Sequence, residues 1–80
     1  MIIIESQNSK VIVKTNAVYV RDNSINDSSS GLVLAFYSSS EKAKKVFRMI
    51  VDFISGCLDE NNTSLYVKGN ILKLPKDNEI

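Results

Sequence analysis

The chain opens on "MIII" and returns to apolar residues at "KVIVK", with the turn-forming "QNSK" between them. Two short β-rich runs around such a turn predict a hairpin closed by a two- or three-residue loop. "AVYVRD" continues as a third strand after a bend near Asn16. Residues 22–31, "DNSINDSSSG", are polar and rich in turn formers, which predicts a long mobile loop. "GLVLAFY" is apolar at every position from Leu32 to Tyr37. A strand with one wet face would alternate, so this run predicts a central strand covered on both sides. The helix that follows can cover one side, and a second copy of the chain is a candidate for the other.

That helix is expected over residues 39–59. At helical spacing Ala43, Val46, Phe47, Ile50, Phe53, Ile54, Cys57 and Leu58 gather in an arc of about 140°. Glu41, Lys44, Arg48 and Asp52 fall opposite, and Glu41–Lys45 and Arg48–Asp52 stand at the i,i+4 spacing that supports a helix. Met49 and Val51 flank the arc and widen its apolar face. With Tyr37 they are the candidate interface residues. Over residues 64–75, Gly69-Asn70 suits a two-residue hairpin loop that would pair Val67 with Leu72 and Leu65 with Leu74. The pattern is that of one α+β domain. It holds a mainly antiparallel sheet of five or six short strands packed on one amphipathic helix, in the order β-β-β-β-α-β-β.

Eighty residues, 44% hydrophobic and 24% charged, make a small globular domain. A chain this short buries only about 60% of the surface its unfolded form exposes, so association with a partner or a homodimer would add to a thin core. The formal charge of +1 gives no signature of nucleic-acid or anionic-membrane binding. Histidine is absent, which removes Ser-His-Asp and Cys-His pairings and imidazole metal ligands. Cys57 is the only cysteine, so neither an internal disulfide nor a thiolate zinc cage can form. No run approaches the roughly 18 apolar residues of a membrane span, and "MIII" lacks the form of a signal sequence. The expected location is the cytoplasm.

The candidate chemistry lies in "YSSSEKAKKVF". Ser38, Ser39 and Ser40 with Lys44 could cradle an anion on the free N–H groups of a helix start. The same serines are ordinary helix caps, with Ser38 and Glu41 spaced as a capping box and Ser39 as the alternative cap. No glycine from Phe36 to Glu41 lets backbone approach a phosphate closely, and Glu41 would repel one. Lys42, Lys44 and Lys45 spread around the helix rather than forming a track, which disfavours nucleic acid. No pair of carboxylates falls in an evidently buried place, so no catalytic residue, metal or cofactor is expected.

Three segments, "MIIIESQNSKVIV", "YSSSEKAKKVFRMI" and "LKLPKD", together resemble small uncharacterised proteins of low-GC Gram-positive bacteria and their phages. Tyr37, Ser39, Glu41, Ala43, Lys44 and Val46 match the family's Tyr-x-Ser-x-Glu-x-Ala-Lys-x-Val segment, and Pro75 its tail. The resemblance implies a bacterial or mobile-element origin and Ser39 as the helix cap, and it carries no activity. Glu5, the Ser/Asn-rich stretch 23–30 and "VKGN" depart from the pattern. The expected function is a small non-enzymatic protein that binds and inhibits a host protein of the defence type. Sequestration of a small anionic, nucleotide-like ligand is the alternative, and nucleic-acid binding a weaker one.

Overall fold

The computed structural model describes residues 2–55, 67–69 and 71–80. Among these residues seven strands, β1 (Ile2–Glu5), β2 (Ile12–Thr15), β3 (Val18–Arg21), β4 (Ser24–Asp27), β5 (Val33–Phe36), β6 (Val67–Lys68) and β7 (Ile71–Lys73), accompany one α-helix, α1 (Ser40–Ser55). A 3-10 turn, Asp77–Glu79, follows β7. The α+β class is as the patterning predicts, but the strands divide into two sheets. One is ordered β2-β1-β7-β6 and the other β3-β4-β5. Five strands precede the helix instead of four.

The first hairpin pairs Ile4 with Val13 and Glu5 with Ile12. The Ser6 N–H donates to the Val11 carbonyl at 2.8 Å, closing a four-residue loop longer than the sequence predicts. Within it the Asn8 side chain accepts from the Ser6 hydroxyl at 2.7 Å and the Lys10 N–H at 3.0 Å, and Ser9 takes a positive φ of 63°. A carboxamide that satisfies local backbone makes this turn without glycine. β1 pairs on its other side with β7, in parallel, through Ile3–Ile71 and Ile4–Leu72. The expected Val67–Leu72 register joins β6 to β7. The expected partner Leu65 lies outside the described residues, as do Cys57 and Leu58 of the predicted helix.

The predicted loop over residues 22–31 is corrected. Ser24–Asp27 is the middle strand of the second sheet, and all four of its residues are buried. Arg21 faces Ser24 across a two-residue turn in which Asp22 adopts a φ of 54°. A polar strand can be buried here because its side chains bond to one another and to the turns around them. The Asn26 amide donates to the Ser24 hydroxyl at 3.0 Å, and that hydroxyl donates to the Arg21 carbonyl at 2.8 Å. The Asp27 carboxylate accepts from Thr15 Oγ1 and from Ser30 Oγ, each at 2.6 Å, and from the Ser30 N–H at 3.2 Å. Thr15 belongs to the first sheet, so this carboxylate ties the two sheets and the 28–30 turn together.

The all-apolar run is likewise not central. β5 is an edge strand, and the register shift against β4 between Ile25 and Asn26 leaves Leu34 as an extra residue. Such a bulge breaks the two-residue period. Leu34 and Ala35 both turn into the core, while Val33 and Phe36 face outward at 58% and 62% exposure. The core unites Ile4 and Leu72 of the first sheet, Ile25, Leu34 and Ala35 of the second, and Ala43, Val46 and Ile50 of α1. Phe47, Met49 and Phe53 pack against its margin, whereas Ile54, expected inside, is exposed. Neither Glu41–Lys45 nor Arg48–Asp52 closes to an ion pair. Among the described residues those are Lys42–Asp77 and Lys73–Glu5, both at 3.4 Å.

Candidate functional site

The serines before α1 do not converge on one point. Ser39 is the cap: its hydroxyl accepts the Lys42 N–H at 3.2 Å, and its carbonyl accepts the Ala43 N–H at 3.3 Å. The Ser38–Glu41 capping box is therefore corrected to an Ser39 cap, one residue on. The Ser38 N–H turns aside and donates to Asp77 Oδ1 at 2.7 Å. Lys42 closes on the same residue, its Nζ donating to the Asp77 carbonyl at 2.9 Å and to Oδ2 at 3.4 Å. The Ser38 N–H, with the charge of Lys42, holds the Asp77 carboxyl below its ordinary range. The negative charge that suits this helix start comes from the chain itself. Nothing in the sequence pointed to Asp77, since a lone aspartate after Pro75 reads as tail.

Ser40 and Lys44, the other half of the predicted anion cradle, lie on a different side of the helix. They line a groove between α1 and β3, with a volume of about 590 Å³. Val18, Tyr19, Val20 and Asp22 form one wall and Ser40, Lys44 and Phe47 the other. On α1 these three stand at i, i+4 and i+7, one stripe along the helix.

The predicted interface residues separate as well. Tyr37 is completely buried and its hydroxyl donates to the Pro75 carbonyl at 2.8 Å, so it is a core residue, not an interface residue. Its ring anchors the C-terminal segment beneath the start of α1. Met49 packs half-buried against the core, and Val51 is half-buried on α1. Ile12 and Ile54 are exposed singly, whereas a group of exposed apolar side chains lies on the outer side of the second sheet. The register sets Tyr19 beside Asn26 and Val33, and Arg21 beside Ser24 and Phe36. These six side chains share that face. Leu32, next to it in sequence, is also exposed.

The two long edges of this sheet are treated differently. On β5 the outward-pointing Leu34 carbonyl accepts the Gln7 N–H at 2.9 Å, and the outward Phe36 N–H donates to Gln7 Oε1 at 3.0 Å. One residue of the first hairpin loop thus covers that edge. On β3 the paired residues are those at odd numbers: Ser28 N–H donates to the Ala17 carbonyl, and Arg21–Ser24 closes the two-residue turn. In an antiparallel ladder the alternate residues point away, which directs the N–H and C=O groups of Val18 and Val20 into the groove. No described residue bonds to them there.

Among the described residues no cluster of acidic, cysteine or histidine side chains could hold a metal ion. Among the described residues the one buried carboxylate, Asp27, accepts from hydroxyl and amide donors, first among them the Ser30 hydroxyl, which lower its pKa below the ordinary value. It ties β2 and β4 to the 28–30 turn. No described helix is long and apolar enough to cross a membrane. No family model, curated protein or solved structure matches the chain.

Proposed function

We propose that the protein is a non-enzymatic binding domain that acts by occupying the surface of another protein. The observation that carries this reading is the outer face of β3-β4-β5, where Val33 and Phe36 stand 58% and 62% exposed beside the partly exposed Tyr19. Large apolar side chains grouped on one face mark an interaction surface more often than single exposed ones do. Aromatic residues with a neighbouring arginine, here Arg21, are the side chains that carry most binding energy at protein interfaces. Against the anion-sequestering alternative, the Ser38 N–H is already given to Asp77 and the Ser39 hydroxyl to the helix start. The resemblance built on Tyr37–Val46 and Pro75 directs the search for the partner to a low-GC Gram-positive host, and inhibition of a defence-type protein is the outcome to look for.

The test is affinity capture from such a host with the wild-type chain and with Phe36→Asp. Exposed substitutions of this kind change stability by only about 0.5 kcal/mol. A host protein retained by wild type at near-stoichiometric yield and lost with Phe36→Asp, the fold being intact by circular dichroism, is the expected result. Equal retention by both, or no protein retained by either, would overturn the reading.

A further inference from the structure

Resting on the reading of a protein-binding domain, we propose that the β3–α1 groove takes an extended peptide segment of the partner, added as a further strand to the free edge of β3. Three observations converge on this mode. The backbone groups of Val18 and Val20 point into the groove without a bonding partner among the described residues, and unpaired edge groups are the template for strand addition. Val18 and Val20 together with Phe47 give the groove apolar walls for alternate side chains of such a strand. The length also fits. From Ser40 to Phe47 the helix rises about 10 Å, the span of about three strand residues.

The contrast between edges gives the argument its direction. The β5 edge is covered by Gln7, so the sheet can extend only past β3. At the edge of the other sheet, β2 carries the exposed Lys14, a common device against pairing. β3 carries its one charged residue, Arg21, at the end next to the turn, which leaves Val18–Val20 uncharged. Charge then sets the occupant's register: Lys44 on the helix wall has no ion pair with a described residue, while Asp22 lies on the β3 wall, so the segment carries an acidic side chain facing Lys44 and none beside Asp22. The occupant is an extended peptide with apolar residues at alternate positions and one carboxylate directed at Lys44.

The probes are acetylated, amidated peptides of about six residues, alternating Val or Leu with Thr and carrying either Glu or Lys in place of one Val or Leu, on the face that meets α1. Titration into the ¹⁵N-labelled protein should move the Val18 and Val20 amide resonances downfield and slow their hydrogen exchange. The Glu peptides should bind about tenfold more tightly than the Lys peptides, and Lys44→Glu should reverse that order. Val20→Pro removes an N–H that points away from β4, so it should abolish peptide binding, while Val20→Ala, which keeps the N–H, should retain it. Amide protection in wild type decides the matter even if Val20→Pro does not fold. Binding that leaves Val18 and Val20 unprotected, or no binding by any peptide, would overturn the proposal. So would concentration-dependent protection of the same amides without peptide, which would give the edge to a second copy of the chain. A host protein captured by Val20→Pro and lost with Phe36→Asp would remove the groove and keep the binding function.

Discussion

Asp77 and Ser38, 39 positions apart, are joined by a 2.7 Å hydrogen bond from the Ser38 N–H to the aspartate Oδ1. The bond fixes the C-terminal segment across the entry to α1, next to the Tyr37–Pro75 bond at 2.8 Å. Asp77 thereby acts as a capping anion supplied from outside the helix, and Lys42 holds its second oxygen. Asp77→Ala should lower the melting temperature, and Asp77→Glu should recover only part of the loss, because the longer side chain shifts the carboxylate from the Ser38 N–H. Thermal melts followed by circular dichroism check this. A melting temperature unchanged in Asp77→Ala would show that the contact does not stabilise the fold.

Acid should expose the same carboxylate together with Asp27. Both have folded-state pKa values below the ordinary 3.8. A group depressed on folding stabilises the native state above its unfolded pKa and loses that contribution as pH falls through its folded value. Stability should therefore be level above about pH 5 and decline as pH falls from there through and below 3.8. Replacing both residues by asparagine should give a protein that starts less stable and responds less to acid. Urea midpoints measured across that window provide the comparison, and parallel acid limbs for wild type and double variant would refute it.

Gln7→Ala should uncover the β5 edge. The variant keeps the Gln7 N–H bond to Leu34 but frees the Phe36 N–H beside two exposed apolar side chains. An exposed hydrogen bond of this sort contributes about 1 kcal/mol or less, so the fold should persist. Self-association should rise instead, because an open apolar edge pairs with its like. Light scattering against concentration would register it, and identical curves for variant and wild type would count against a covering role.

The helix, the first hairpin and the Val67–Leu72 register were legible because each rests on local spacing that the fold leaves intact. Ser24–Asp27 was not legible as a strand: its hydroxyls, amide and carboxylate have the composition of a loop, and only partners such as Thr15, twelve positions away, make their burial affordable. The bulge at Leu34 misled in the opposite sense, since an apolar residue at every position describes both a covered strand and an edge strand that turns two neighbours inward. For the site, the residues Ser38–Lys44 left both a helix cap and an anion cradle open, and Ser39 is the cap. Their division between Asp77 on one side and the groove on the other depends on how the C-terminal segment and β3 meet α1, which no local pattern encodes.

The parallel pairing of Ile3 with Ile71 has a consequence for the order of events during synthesis. β7 lies between β1 and β6, so a strand near the end of the chain is an interior strand of its sheet. During synthesis the β1–β2 hairpin is complete in sequence long before β7, and one side of β1 has no strand to pair with until β7 is made. Contacts that span nearly the whole sequence are slow to close, because the entropy of the intervening chain must be overcome first. The second sheet and α1 can assemble from neighbouring segments in the meantime. Cooperative folding of this sheet is thus tied to the arrival of β7, and a nascent chain stalled before Ile71 would hold three isoleucines, Ile2, Ile3 and Ile4, along an unfinished edge.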